Sequence, residues 1–176
     1  MDAYYTEITQ GSLWLYLLLL LTAGITDIWK FIIPNLVSLA LLVLFVALAL
    51  MQPFPVNWWS HIGAGLAFLA VGLVLYRFNG LGAGDVKLIA VLSVWSGFEH
   101  LLDLLLGVAL CGGALAIILI VLRKLVFSFA LLAPGTGQNA MPKVLIQGAP
   151  VPYGVGIAAG GIWLGLKLPL LGYGLL

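Results

Sequence analysis

Two aspartates lie in apolar surroundings with short, distinctive neighbourhoods. Asp27 falls in Thr26-Asp27-Ile28-Trp29-Lys30-Phe31-Ile32-Ile33-Pro34-Asn35, and Asp85 in Gly80-Leu81-Gly82-Ala83-Gly84-Asp85-Val86-Lys87-Leu88. An ionisable side chain inside a membrane segment costs roughly 3 kcal/mol on insertion scales, so each is a candidate functional group. Neither has a histidine or cysteine beside it in sequence. Two carboxylates alone do acid–base chemistry on water. Within hydrogen-bonding reach in a poor dielectric both cannot ionise, and one proton is shared. The ionised partner then takes a proton from water while the protonated one donates to a peptide carbonyl oxygen. Gly82 and Gly84 suit that task, because missing side chains let a backbone or substrate strand approach Asp85. The plain alternative is that each aspartate caps a helix or pairs with a nearby lysine, and a glycine before Asp85 fits a helix start.

The elements that must position them follow from composition. The chain has 176 residues, 64% hydrophobic and 7% charged, with mean hydropathy +1.22. A water-soluble domain carries about 25% charged residues, so this chain cannot cover a soluble surface. Crossing a bilayer takes roughly 20 apolar residues. Uninterrupted apolar stretches predict six membrane-spanning helices, at about 12–29, 34–51, 58–76, 82–98, 104–122 and 151–171. The fold class is therefore all-α, a single polytopic membrane domain over 1–176. Pro34 suits a first helical turn. Gln52-Pro53-Phe54-Pro55 breaks the chain before Trp58 and Trp59, an interfacial pair. Asp2 and Glu7, with no Lys or Arg, precede the first run; a removable leader needs a basic start, so that run is expected to be a permanent helix. Residues 123–150, with Arg123, Lys124, Pro134, Gly135, Gly137, Pro142 and Lys143, read as the one substantial loop. Its apolar middle, 125–132, is expected to lie along the interface as a short helix.

Basic residues in short loops mark the cytoplasmic side. Lys30, Arg77, Arg123, Lys124 and Lys143 fall in the first, third and fifth connections, which share a side, and Lys87 lies just inside the membrane next to it. Asp2, Glu7, Glu99 and Asp103 fall opposite. Only Lys167 offends, near enough to a helix end to snorkel. Both termini are thus expected outside the cytoplasm, and the 123–150 loop inside it. Of six acidic residues, Asp27 and Asp85 alone fall on the basic side, at one depth.

Other chemistry competes poorly. His61 and His100 fall on the opposite side, which excludes a Ser–His–Asp arrangement. The single cysteine, Cys111, can form neither an internal disulfide nor a CxxC site and reads as a packing residue. Two carboxylates beside Lys87 specify a metal weakly, so no metal or cofactor is expected. Net charge is +1, without the clustered basic face of a nucleic-acid binder. Gly63-Ala64-Gly65, Gly112-Gly113 and Gly160-Gly161 read as close helix packing.

The two aspartate segments resemble the paired signature motifs of type IV prepilin peptidases. Asp27 with Ile33-Pro34-Asn35, and Gly82-Ala83-Gly84-Asp85-Val86-Lys87-Leu88 with its aspartate 58 positions on, carry the match. Val151-Pro152-Tyr153-Gly154-Val155 resembles a feature of that family's last helix. The resemblance implies a bacterial inner-membrane aspartic endopeptidase that removes prepilin leaders on the cytoplasmic side, after a glycine, while the substrate's hydrophobic helix stays in the bilayer. It also implies Asp27 and Asp85 as the catalytic dyad, supported by Gly82, Gly84, Lys87, Pro34 and Asn35. Larger members carry an early insertion with paired cysteines and methylate the new N-terminus. Here the first connection is a few residues long and the lone cysteine lies elsewhere, which argues against methyl transfer and is similar to the short form of Flp (tight-adherence) pili. Two other functions compete: a proton-coupled transporter or channel subunit using the acids as a relay, which predicts pH-dependent flux, and a non-catalytic pilus assembly factor, which predicts bound but uncut prepilin.

Overall fold

The computed structural model describes residues 2–51, 55–132, 143–146, 148–168 and 171. These form six α-helices: α1 Asp2–Lys30, α2 Asn35–Met51, α3 Trp58–Arg77, α4 Ala83–Ser96, α5 Leu101–Leu132 and α6 Tyr153–Gly165, with a short 3-10 turn at Lys143–Leu145. α1, α3 and α5 contain stretches long and apolar enough to cross a membrane, at Glu7–Lys30, Trp58–Arg77 and Leu101–Ser128. α2 is apolar but shorter. Large apolar side chains point outward on these helices, among them Leu36, Leu50, Leu66 and Leu110. An apolar exterior this extensive is of the kind that lipid, not water, accommodates.

Where the helices stop follows from local chemistry. α1 closes through the Phe31 N–H to the Asp27 carbonyl (2.9 Å), and Phe31 turns the chain out with φ +53°. Pro34 then keeps Ile33 out of the helical region. α3 begins where the Asn57 side chain accepts from the Ser60 N–H, which satisfies one of the donors a helix start leaves free. α4 ends at Gly97, whose φ of 57° a bulkier residue would resist.

Two expected spans are shorter than the hydropathy suggested. The fourth, expected at 82–98, is helical for 14 residues, and the sixth, expected at 151–171, for 13. At about 1.5 Å per residue each reaches roughly 20 Å, less than the ~30 Å hydrocarbon layer. Both lie inside the bundle: eight residues of α4 and eight of α6 are buried, against four of α3's 20. α4 packs on α3, α2, α6 and α5, and α6 on α5, α1 and α4. The α5–α6 seam is glycine-lined, since a Cβ on Gly156 would meet the Gly112 backbone at 2.6 Å. Cys111 is half-buried beside this seam. The centre of the bundle is a cluster of Tyr16, Phe45 and Trp95. The Tyr16 hydroxyl donates to the Gly161 carbonyl (2.7 Å), and Trp95 Nε1 to the Leu41 carbonyl (3.1 Å).

The loop expected at 123–150 requires correction. α5 runs unbroken to Leu132, so Arg123, Lys124 and the apolar stretch 125–132 continue the helix instead of starting a loop. The reason lies in the sequence: Arg123 to Leu132 contains no Gly or Pro, and the first breaker is Pro134. Paired charges do not by themselves end a helix. At 32 residues α5 is about 48 Å long, so it outreaches the hydrocarbon by roughly 18 Å. Residues 133–142, and the expected break at 52–54, lie outside the described residues, as does the side chain of Lys143.

Charges separate to two ends of the bundle. Lys30, Arg77 and Lys87 lie at the same helix ends as Asp27 and Asp85, beside the α1–α2 and α3–α4 connections. At the other end Lys167 Nζ meets Asp103 Oδ1 at 2.6 Å, and His100 lies 3.6 Å from the same carboxylate. Lys167, expected near enough to a helix end to snorkel, pairs with Asp103 at that end, and it sits 5.4 Å from the Trp163 ring centroid.

Candidate active site

Three helix breaks meet at the basic end: 31–34 between α1 and α2, 78–82 between α3 and α4, and 149–152 before α6. Asp27 occupies the last turn of α1, and Asp85 the first turn of α4. They are among the few buried polar residues, 5% and 9% exposed, and both line each of two cavities. One, of about 320 Å³, is completed by Phe31, Ile33, Asn35, Gly82, Gly84 and Lys87. The other, of about 420 Å³, is completed by Phe31, Tyr76, Asn79, Gly82, Val151 and Tyr153. Residues 58 positions apart in sequence thus share two walls.

Each carboxylate is held from one side and free on the other. Asp85 Oδ2 accepts the Gly82 N–H at 3.3 Å, the reciprocal half of a capping box, so the plain capping role is also present. Asp85 Oδ1 has no hydrogen-bond partner among the described residues, and neither has Asp27 Oδ2. The N-terminus of α6 abuts Asp27, with the Gly154 and Val155 amides facing its carboxylate. A helix N-terminus carries partial positive charge and stabilises an anion there. Two buried carboxylates, each keeping an unpaired acceptor oxygen, form an arrangement able to hold and exchange a proton with a small ligand such as water.

The supporting residues divide. Lys87 Nζ donates to Asn35 Oδ1 (2.9 Å), tying α4 to the start of α2 in the wall of the first cavity. Gly84 lies against the α1–α2 connection, where a Cβ would come 3.0 Å from Ile33 Cβ. The strand that needs Gly84 to be bare is therefore the chain's own Ile33. Pro34 lines neither cavity and acts on the backbone, starting α2. A third, apolar cavity of about 510 Å³ lies between α2, α3 and α4 and shares Asn35 and Lys87 with the first. His61 and His100 line neither aspartate cavity; His61 Nδ1 lies 2.7 Å from the Val94 carbonyl.

Sequence reasoning missed three contributors. Phe31 and Asn79 are the two described non-glycine residues with positive φ, +53° and +57°, and both line the larger of the two aspartate cavities. Such backbone is costly for a bulky residue and clusters at functional sites; Asn79-Gly80 was a readable turn signal, whereas Phe31 carried none. The third is Gly154. It stands in the 151–155 segment that resembles a family feature, but without a role assigned to it; a Cβ there would stand 2.8 Å from Asp27 Oδ2 and 2.9 Å from its Cγ, a close approach invisible without knowing that α6 meets α1.

A helical protein with spans suited to a membrane and a buried pair of carboxylates at three helix breaks is the class the fold and site define. The model of the type IV leader peptidase family matches residues 14–117, more than half the chain and including both aspartates. The chain belongs to that family. It is 28% identical over 146 residues to the prepilin leader peptidase/N-methyltransferase of Escherichia coli (strain K12), covering 79% of this chain and 64% of that protein. Proteins of the same name from Bacillus subtilis (strain 168) and Pectobacterium carotovorum subsp. carotovorum are 33% identical over 89 residues and 32% over 122. The chain spans 64% or less of the length of these curated relatives. No solved structure matches significantly.

Proposed function

We propose that this chain is a membrane-embedded aspartic endopeptidase that removes the leader of Flp-type prepilins at the cytoplasmic face of a bacterial inner membrane. The observation that carries the reading is the shared burial of Asp27 and Asp85 on the walls of the same two cavities, each with a carboxylate oxygen unpaired among the described residues. One carboxylate, ionised, takes a proton from water as its oxygen bonds to the scissile carbonyl carbon. The other, protonated, donates to the carbonyl oxygen. The resulting tetrahedral diol collapses as its C–N bond breaks; the amine leaves with a proton from the first carboxyl group, and a hydroxyl proton returns to the second. The dyad ends in its starting state without a covalent enzyme intermediate.

Membership of the family supports a prepilin substrate, and the basic end of the bundle supports a cytoplasmic site, with six spans and both termini opposite. The apolar cavity between α2, α3 and α4, which shares Asn35 and Lys87 with one of the aspartate cavities, would receive the substrate's hydrophobic helix. The short α1–α2 connection, without cysteines, supports peptidase activity without methyl transfer. Purified protein incubated with a prepilin, with N-terminal sequencing of the product, tests this. Asp27→Asn and Asp85→Asn are each expected to lose cleavage by about 100- to 10,000-fold, the range that a general acid or base contributes, while accumulating normally. Full cleavage by either variant would remove the dyad.

A further inference from the structure

The side chain with the most directed hydrogen bonding near the site belongs to neither motif. Arg123 projects from α5, and its guanidinium donates to three backbone carbonyls: Nε to Val144 (2.9 Å), Nη1 to Ala149 (2.8 Å) and Nη2 to Pro150 (3.0 Å). No carboxylate among the described residues pairs with it. Those carbonyls belong to the segment leading into α6. Pro150 and Val151 line the larger aspartate cavity, Pro152 caps α6, and Gly154 abuts Asp27. The segment cannot readily order itself. Pro150 and Pro152 lack N–H donors, so Val151 has the one backbone donor of these three residues. Three carbonyls converging on one point need a planar fork of donors, which arginine provides and a lysine ammonium does not reproduce.

We propose that Arg123 is a positioning residue for the dyad: by gripping the carbonyls of Val144, Ala149 and Pro150 it fixes the start of α6, and thereby the Gly154–Val155 backbone, against Asp27. This deepens the peptidase reading and rests on it. The competing role is a basic residue anchoring the helix at the membrane edge. The two separate at Arg123→Lys, which keeps the charge and loses the fork.

The experiment compares wild type, Arg123→Lys, Arg123→Gln and Asp27→Asn, purified in detergent. Prepilin cleavage gives kcat and KM, hydrogen exchange is read on a peptide covering 148–156, and α3–α4 peptides and Tm report global folding. A misplacement of about 1 Å at a reacting group costs roughly 100-fold in rate. The expected result is a kcat lowered by that order in Arg123→Gln, with Arg123→Lys closer to it than to wild type. KM should stay within about twofold, because the reacting group and not substrate binding is misplaced. Exchange across 148–156 should rise in both variants with α3–α4 unchanged. Wild-type kcat and unchanged exchange in Arg123→Lys would overturn the proposal in favour of a charge anchor. Faster exchange at full kcat would overturn it too, since the segment would then be uncoupled from chemistry. Cleavage by Asp27→Asn would overturn the dyad reading and the positioning role with it, whereas unchanged exchange in Arg123→Gln overturns the Arg123 role alone.

Discussion

Substituting alanine for Gly154 adds one methyl group at the point where α6 meets α1, and the structure sets the size of the insult. The new Cβ would stand 2.7 Å from Ile33 Cδ1, 2.8 Å from Asp27 Oδ2 and 2.9 Å from Asp27 Cγ, where ordinary contact begins near 3.4 Å. Ile33 Cδ1 is the end of a flexible side chain and can swing aside. Asp27 can only retreat, by about 0.6 Å, or force α6 outward by a similar amount. If about 1 Å of misplacement costs roughly 100-fold, Gly154→Ala is expected to lower kcat by about ten- to a hundredfold, or ~1.4–2.7 kcal/mol of transition-state stabilisation. Fold stability changes little by comparison: alanine gains up to ~1 kcal/mol of helix propensity, against an overpacking cost of ~1–3 kcal/mol. Gly113→Ala is the control, because a Cβ there meets nothing within 4 Å. Initial rates of prepilin cleavage in detergent, normalised to folded protein, give the comparison. Wild-type kcat in Gly154→Ala would refute the reasoning, since the contact at Asp27 would then have no bearing on the reaction.

Two further substitutions separate roles elsewhere in the molecule. Lys87→Met removes the bond to Asn35 Oδ1 in the cavity wall without touching either carboxylate's hydrogen bonds, so cleavage should fall by less than about tenfold, in keeping with one hydrogen bond worth ~1 kcal/mol. A loss as deep as that of Asp85→Asn in the same assay would move Lys87 into the chemistry. Tyr16→Phe strips the buried Gly161 carbonyl of its hydroxyl donor and should destabilise the bundle by about 1–2 kcal/mol, measured by thermal unfolding in micelles, with kcat unchanged in the surviving folded protein.

How much of this was legible beforehand depends on the range of each signal. Asp27 and Asp85 were found from local features, an acid in an apolar run, and charge asymmetry assigned them to one end. The helical class was legible for the same reason: a long apolar run can satisfy its backbone within itself only as a helix. Length was not. Arg123 and Lys124 read as a helix end because charge and irregular backbone usually coincide, yet nothing in 123–132 breaks a helix. Conversely, the sixth apolar run looked long enough to span, and Pro152 and the turn at Leu166–Lys167 cut it to 13 residues. Arg123's grip on Val144, Ala149 and Pro150 was not legible at all, because backbone carbonyls are identical at every residue and leave no trace in sequence.

The same distinction explains why the site stands where it does. Non-helical backbone at membrane depth is tolerated where protein buries it or where it lines a water-filled cavity. Here the chain leaves the helical path at Phe31–Pro34, at Phe78–Gly82 and at Ala149–Pro152, and all three breaks contribute walls to the two cavities that hold the aspartates. Three motif residues besides the two aspartates serve these breaks: Pro34 restarts the helix after the first, Gly82 ends the second and binds Asp85, and Gly84 admits Ile33 of the first against α4. The glycines and prolines that read as a signature are thus the means by which three helix ends are brought to one point. The third break has the fewest donors of its own, and it is the one that an arginine from outside both motifs holds in place.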